Sequence, residues 1–183
     1  MDGRASFTLY TIGHSNHSIE DFLALLKKHA ITDLVDIRST PQSRFSPHFN
    51  KKRLESTLPE HGMTYHFRGE ALGGRPKDPS VYVGDKADFA LVMQQEWYQA
   101  GIQDLFTLLQ QIEAKAGRVA IMCSEGDPDQ CHRHHLIARS LLDPQVKIVG
   151  DEVSVEMVHI LKDGELRSIS ADDFGESRQL PLL

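Results

Sequence analysis

A chain of 183 residues with net charge −6, 40% hydrophobic and 25% charged residues has the composition of one ordinary globular domain. Its apolar runs are short and broken by charge, which excludes a membrane-spanning helix, and its first ten residues, MDGRASFTLY, lack the apolar stretch of a secretory signal. Two cysteines are too few for a disulfide framework, so free thiols and a cytoplasmic setting are expected. The charge is unevenly spread: residues 38–77 hold eight Lys or Arg against three acids, and residues 140–183 hold nine acids against four bases. A local positive patch on an acidic chain suits an anion held at one mouth. A long loop and a solvated helix that simply carry charge explain it equally well.

In chain order, Phe7–Ile12 reads as a strand running into Gly13-His14-Ser15-Asn16. Ser18 and Asp21 resemble a capping box for a helix over Ile19–His29, whose apolar Ile19, Phe22, Leu23, Leu25 and Leu26 recur at helical spacing. Thr32–Ile37 is a second short strand, with Asp36 and Arg38 at its end. A polar loop with Pro41 and Pro47 leads to a helix over Asn50–His61, with Asn50 as its N-cap. Met63–Phe67 is a third strand, and a Gly/Pro-rich connection then runs from Arg68 to about Gly84. Helical patterns fill Lys86–Tyr98 and Ile102–Ala116, the second closed by Gly117 at the C′ position. Val119–Cys123 is the fourth strand, Cys131–Leu142 a helix, and Val146–Val149 a fifth strand. Val155–Leu161 and Glu165–Ile169 flank Lys162-Asp163-Gly164, a hairpin turn signal. The tail from about Ser170 is polar and expected to be mobile. This alternation predicts a single α/β domain: a mostly parallel sheet flanked by helices, with a C-terminal hairpin.

The stretch Val119–Ala138, VAIMCSEGDPDQCHRHHLIA, carries the most chemistry. A strand delivers Cys123 and Glu125 into a Gly-Asp-Pro-Asp turn, and the helix that follows opens with His132 and Arg133. In open α/β sheets ligands collect beyond the carboxyl ends of the strands, at helix N-termini. The first strand end adds His14, Ser15 and Asn16; the second adds Asp36, Arg38 and, further on, Arg44. Because these share a sheet edge, His14, Asp36, Arg38, Glu125 and His132 are expected to line one cavity. His132, His134 and His135 diverge by about 100° per helical residue and cannot all face one point. Cys131, at a helix start beside His132 and Arg133, suits a lowered thiol pKa better than Cys123 does. The plain alternative is a small buried packing residue. Ser124-Glu125-Gly126-Asp127-Pro128 lacks the Arg that closes a phosphatase or rhodanese loop. Cys123, Cys131, His132 and His14 match no standard zinc spacing, so no metal and no cofactor is assigned. Asp36 or Glu125 can serve as general base while Arg38, Arg44, Arg75 and Arg133 hold phosphates. Tyr65, Phe67, Tyr82 and Trp97 are candidates to stack on a base, although such side chains more often belong to the core.

As a set, the motifs resemble the signatures of the domain of unknown function 488 family. The residues that carry the resemblance are Tyr10-Thr11-Ile12-Gly13-His14-Ser15, then Leu34-Val35-Asp36-Ile37-Arg38-Ser39 with Pro41, Ser43 and Arg44. Leu72-Gly73-Gly74 and Met122-Cys123 with Glu125 and Cys131-His132-Arg133 complete it, in the expected order over about residues 7–160. The resemblance implies a compact α/β fold and a pocket at these motifs, and brings no settled activity. The link Asp143–Glu156 is longer than the family's usual one. The candidate catalytic residues are His14, Asp36, Glu125, Cys131 and His132. The candidate ligand-holding residues are Ser15, Asn16, Arg38, Arg44, Gly73, Gly74, Arg75, Cys123 and Arg133. Three functions stay open: an enzyme on a phosphate-bearing nucleotide or nucleic acid, a non-catalytic module that binds such an anion, and a thiol redox protein using Cys123 and Cys131. The expected partner is a small anionic or nucleotide-like ligand, with nucleic acid as a further candidate and no membrane.

Overall fold

Residues along each central strand alternate between two apolar layers, and that alternation builds the molecule. A computed structural model describes residues 5–150 and 153–174. The chain runs β1 (Ala5–Gly13), α1 (Ile19–Lys28), β2 (Asp33–Asp36), α2 (Lys51–Glu60), β3 (Thr64–Phe67) and α3 (Gly69–Leu72). A small hairpin, β4 (Tyr82–Val83) and β5 (Lys86–Ala87), precedes α4 (Phe89–Met93), α5 (Glu96–Glu113) and β6 (Val119–Cys123). A π-helix over Arg133–Ala138 continues as α6 (Arg139–Leu142), and β7 (Val153–Ile160) and β8 (Leu166–Ile169) follow.

The main sheet has six strands in the order β3-β2-β6-β1-β7-β8. Every pair is parallel except the β7–β8 hairpin, whose turn places Gly164 at φ 82°. The fold is therefore α/β, as the alternation predicts. Ile12, Leu34, Ala120 and Met122 face α1 and α2, burying Phe22, Leu26, Leu54 and Leu58. Leu9, Val35, Ile121 and Cys123 face the other way, against α5 and the 133–142 helix through Leu105, Leu109, Leu136 and Ile137. Each fully buried Val, Leu, Ile, Phe or Met among these contributes about 1.5–3 kcal/mol. β1 and β2 send their connections toward β3 across the α1/α2 face, while β6, lying between them, sends its connection toward β7 across the opposite face. The loops at the carboxyl ends thus part at β6, which is the topological position of a ligand crevice.

The helix over Ile19–His29 is confirmed in α1, where the Ser18 hydroxyl accepts from the Asp21 N–H at 3.0 Å. Asn50 precedes α2 but makes no side-chain cap; its Oδ1 accepts instead from Ser43 N at 2.6 Å and holds the preceding loop. The Lys86–Tyr98 helix is corrected. Lys86–Ala87 pairs with Tyr82–Val83, and Asp88 caps α4 by accepting from Ala90 N and Leu91 N. Extended Gln95 then restarts the chain as one long α5. Gly101 does not interrupt α5; a Cβ there would stand 2.7 Å from Ala71 Cβ, so glycine is what lets α3 cross. Ala116, not Gly117, takes the left-handed position after α5 (φ 59°). Val146–Val149 is not a strand: Lys147 N and Ile148 N bond back to Asp143 O and Ser140 O, closing a loop on the helix end. Cys131 is extended, so the helix expected from Cys131 starts two residues later and begins as π-helix. Residues 171–174 form a 3₁₀ turn with Phe174 buried, and the expected mobility of 175–183 lies outside the described residues. No helix among the described residues is long and apolar enough to cross a membrane.

Candidate functional site

A cleft of about 490 Å³ opens at the carboxyl end of β6, lined by Arg38, Ser39, Thr40, Gly74, Arg75, Phe89, Ser124, Glu125 and Gln130, with Cys123, Cys131 and His132 at its floor. Strand alternation turns Cys123 toward the 133–142 helix. There it meets Arg133, whose NH1 donates to Cys123 Sγ at 2.8 Å. The extended backbone of Cys131 aims its sulfur at the same point, where it accepts from the Arg133 backbone N–H at 3.5 Å. Cys123 S–H has two acceptors in reach, the Glu125 carbonyl at 3.8 Å and the Cys131 sulfur. Burial pulls the Cys131 thiol upward, but the Cys123 S–H, the Arg133 charge and the Arg133 N–H outweigh it, so its pKa falls below the ordinary thiol value. Cys123, buried and facing the charge on Cys131, is pushed well above it. Of the two sulfurs, Cys131 is the one whose surroundings favour the thiolate.

His132 Nε2 lies 3.2 Å from the Ile37 carbonyl, which can only accept. Neutral His132 therefore keeps its proton on Nε2, and burial, the first cause of its lowered pKa, favours that neutral form. Its Nδ1 faces Cys131 Sγ at 3.7 Å and accepts in that tautomer, with the Leu72 carbonyl a second acceptor beside the ring. A thiol, a base and a group orienting that base stand in sequence. Gly74 makes room for it, since a Cβ there would sit 2.9 Å from His132 Cγ. The π-helix separates the three histidines. Arg139 N–H reaches back five residues to His134 O, which widens the turn. His132 faces the cleft, His134 Nδ1 turns to His159 Nε2 at 3.1 Å, and His135 bonds Asp129 O.

Arg133 is fully buried; NH1 also donates to the Glu125 carbonyl and NH2 donates to the Gly126 carbonyl, while its buried Nε–H has no partner among the described residues. The loop after Cys123 thus folds its carbonyls onto a guanidinium. Gly13 allows this: a Cβ would lie 1.7 Å from Glu125 O.

His14 and Asp36 do not line the cleft, which corrects the single-cavity expectation. Both point to the α1/α2 face, opposite to Cys123. Asp36, 0% exposed, accepts from Arg38 Nε (2.9 Å), Arg38 NH2 (2.6 Å), Arg38 N (3.1 Å) and Tyr65 OH (2.8 Å). His14 stacks on Phe49 at 4.4 Å, its Nδ1 donates to Ser15 O, and its Nε2 accepts from Arg38 NH1 at 3.3 Å. Desolvation, the main cause, pulls its pKa down to about 4, so it is neutral. This group braces Arg38 from behind while Arg38 forms part of the cleft wall.

Of the other sequence candidates, Gly74, Arg75, Cys123, Glu125, Cys131 and His132 meet at the cleft. Gly73 packs against Ser39 Oγ beside it, and Ser15, held at φ 49°, lines a separate hollow with Lys162 and Arg167. Asn16 and Arg44 are exposed outside the cleft. The proposed stacking aromatics serve elsewhere: Tyr65 on Asp36, Tyr82 on Pro76 O, Trp97 on Asp78, and Phe67 under Lys51. Ser39, Thr40, Phe89, Ser124 and Gln130 were not foreseen; the first two follow Arg38 in the second motif, which was the available signal.

Fold and site together define a doubly wound α/β domain with a thiol- and histidine-floored cleft at its switch point. A family model described as Domain of unknown function DUF488 matches residues 18–140, more than half of the chain, and the chain belongs to that family. The Tyr10–Ser15 motif lies ahead of the matched span. No curated protein and no solved structure matches the chain.

Proposed function

We propose that this chain is an enzyme acting on a phosphate-bearing, nucleotide-like or nucleic-acid substrate in the cleft at the strand carboxyl ends, with Cys131 as nucleophile and His132 as its base. The observation that carries this reading is the convergence of Cys131, His132 Nδ1 and the Arg133 N–H on one sulfur at the cleft floor. Cys131 Sγ bonds to the substrate centre as the bond to the departing group breaks; the thiol proton passes to His132 Nδ1 and on to that group, and a water deprotonated by His132 then displaces the substrate from the sulfur, which takes the proton back. Cys123 S–H and Arg133 N–H remain as donors to the sulfur. Glu125, an exposed carboxylate on the cleft wall, is the available second acid or base. Arg75, exposed on the same wall, is the available phosphate contact, because Arg133 is buried and its NH1 and NH2 are already bonded to protein acceptors. The test is protection of Cys131 from iodoacetamide by a panel of mono- and dinucleotides, read by peptide mass. At least one member is expected to slow the labelling, and Arg75→Ala to remove that protection. A panel in which none protects removes the nucleotide substrate from the account.

The contact between the two sulfurs favours a second reading, a dithiol that joins Sγ to Sγ when oxidised. Loss of two thiols on mild treatment with peroxide, reversed by dithiothreitol and paired with unchanged nucleotide behaviour, separates it from the first.

A further inference from the structure

We infer that the β2–α2 loop, through Phe45 and Arg44, together with Arg75 of the connection after α3, is a landing surface for single-stranded nucleic acid whose end enters the cleft. Phe45 is 98% exposed, and a lone exposed apolar side chain says little by itself. Here the turn that carries it is clamped. Ser43 Oγ accepts from Phe45 N at 3.2 Å and Ser46 N at 3.1 Å, Asn50 Oδ1 accepts from Ser43 N, and Lys51 N bonds Pro41 O at 2.9 Å. The ring is held out in water by ordered structure and presents free aromatic faces.

The segment that carries it is rich in cations. Arg38, Lys51 and Arg68 of this basic segment are paired with Asp36, Glu55 and Asp104. Arg44, Lys52, Arg53, Arg75 and Lys77 are exposed, and among the described residues their side chains have no acidic partner. The chain as a whole carries −6, so these charges are a local feature that a polyanion would meet against a repelling background. The loop is also one wall with the cleft, because Ser39 and Thr40 line it and Ser39 Oγ accepts from Arg75 N at 2.9 Å. Phe45 is five residues from Thr40, at most about 18 Å of extended chain.

Single strands offer what this wall can use: a base face for Phe45 and a phosphate on either side for Arg44 and Arg75. An acidic peptide would use the cations and leave the ring idle, and a duplex hides its base faces in the stack. The inference rests on the cleft being the reactive site only in where the strand ends.

The experiment is fluorescence anisotropy of the full chain with a labelled 12-nucleotide single strand of mixed sequence, as DNA and as RNA. Binding is expected at low salt and is expected to weaken steeply with salt. Phe45→Ala should weaken it about tenfold or more, the range of lost base–aromatic stacking, while Phe45→Trp keeps it. Arg44→Ala with Arg75→Ala should lower the slope of log K against log salt by about 1.4. Cys131→Ser should bind as wild type does, so a failed nucleophile assignment leaves this result standing. Phe45→Ala should label at Cys131 at the wild-type rate. No binding at low salt, binding indifferent to Phe45, or Phe45-dependent binding of poly-glutamate in place of the strand would each overturn the inference.

Discussion

Asp36→Asn tests the brace behind the cleft. Asp36 is fully buried and Arg38 is 5% exposed, and four donors converge on the two carboxylate oxygens. An asparagine keeps one acceptor and turns an NH2 toward two of those donors. The Arg38 guanidinium then keeps the asparagine oxygen, Phe49 O at 2.7 Å and His14 Nε2 as partners but has no negative charge facing it. Losing two hydrogen bonds to a charged group costs about 3–6 kcal/mol, and breaking a buried pair from one side costs about 3–5 kcal/mol. The two routes agree, so a loss of about 3–5 kcal/mol is expected. For a chain this size that lowers Tm by about 6–20 °C. Tyr65→Phe removes one of the four bonds from a half-buried donor and should cost about 1–2 kcal/mol. Urea unfolding of both variants and of wild type is the assay. An Asp36→Asn loss under about 1 kcal/mol would mean that the pair is worth no more than a surface one, and the brace would be refuted.

Acid should destabilise the fold through its buried histidines. His14 and His134, both lowered mainly by desolvation, titrate at about 4 when folded and near 6.5 when unfolded. Between these values the unfolded chain holds the extra protons, so stability falls as pH drops from about 6.5 to about 4, by up to about 3 kcal/mol per residue. Urea midpoints at pH 7.5, 6 and 5 measure it; a flat or rising series would contradict the neutral assignment. Gly13→Ala drives a Cβ onto the Glu125 carbonyl, whose backbone must move and carry Arg133's acceptor away. Thermal scans should show a loss of several kcal/mol, about 2 or more, and a variant as stable as wild type would show that the loop is not fixed there.

The layer order and the central strands were legible because apolar periodicity reports burial directly, and Ser18-x-x-Asp21 announces α1 through its own cap. The site was legible to its edge but not to its faces. His14 and Asp36 end strands beside Cys123, yet strand alternation points them to the α1/α2 side, and a shared edge was mistaken for a shared cavity. Val146–Val149 has strand composition, but pairing is decided by which chain lies alongside, and there the helix end bonds the segment first. The Cys131–His132 pairing was hidden for a related reason. Neighbouring residues diverge on a helix, and only the extended Cys131 backbone and the glycine at position 74 bring thiol and ring together.

The reactive floor of the cleft is tested most directly by the pH dependence of iodoacetamide labelling, resolved by peptide for Cys131 and Cys123 in the native chain. Cys131 should label at least about tenfold faster than Cys123 and with a midpoint below the ordinary thiol value of about 8.5. His132→Gln should slow it and shift that profile, while Cys123 stays protected until the chain unfolds. Equal labelling of the two sulfurs, or a Cys131 profile that His132→Gln leaves unmoved, would contradict the assignment of Cys131 as nucleophile.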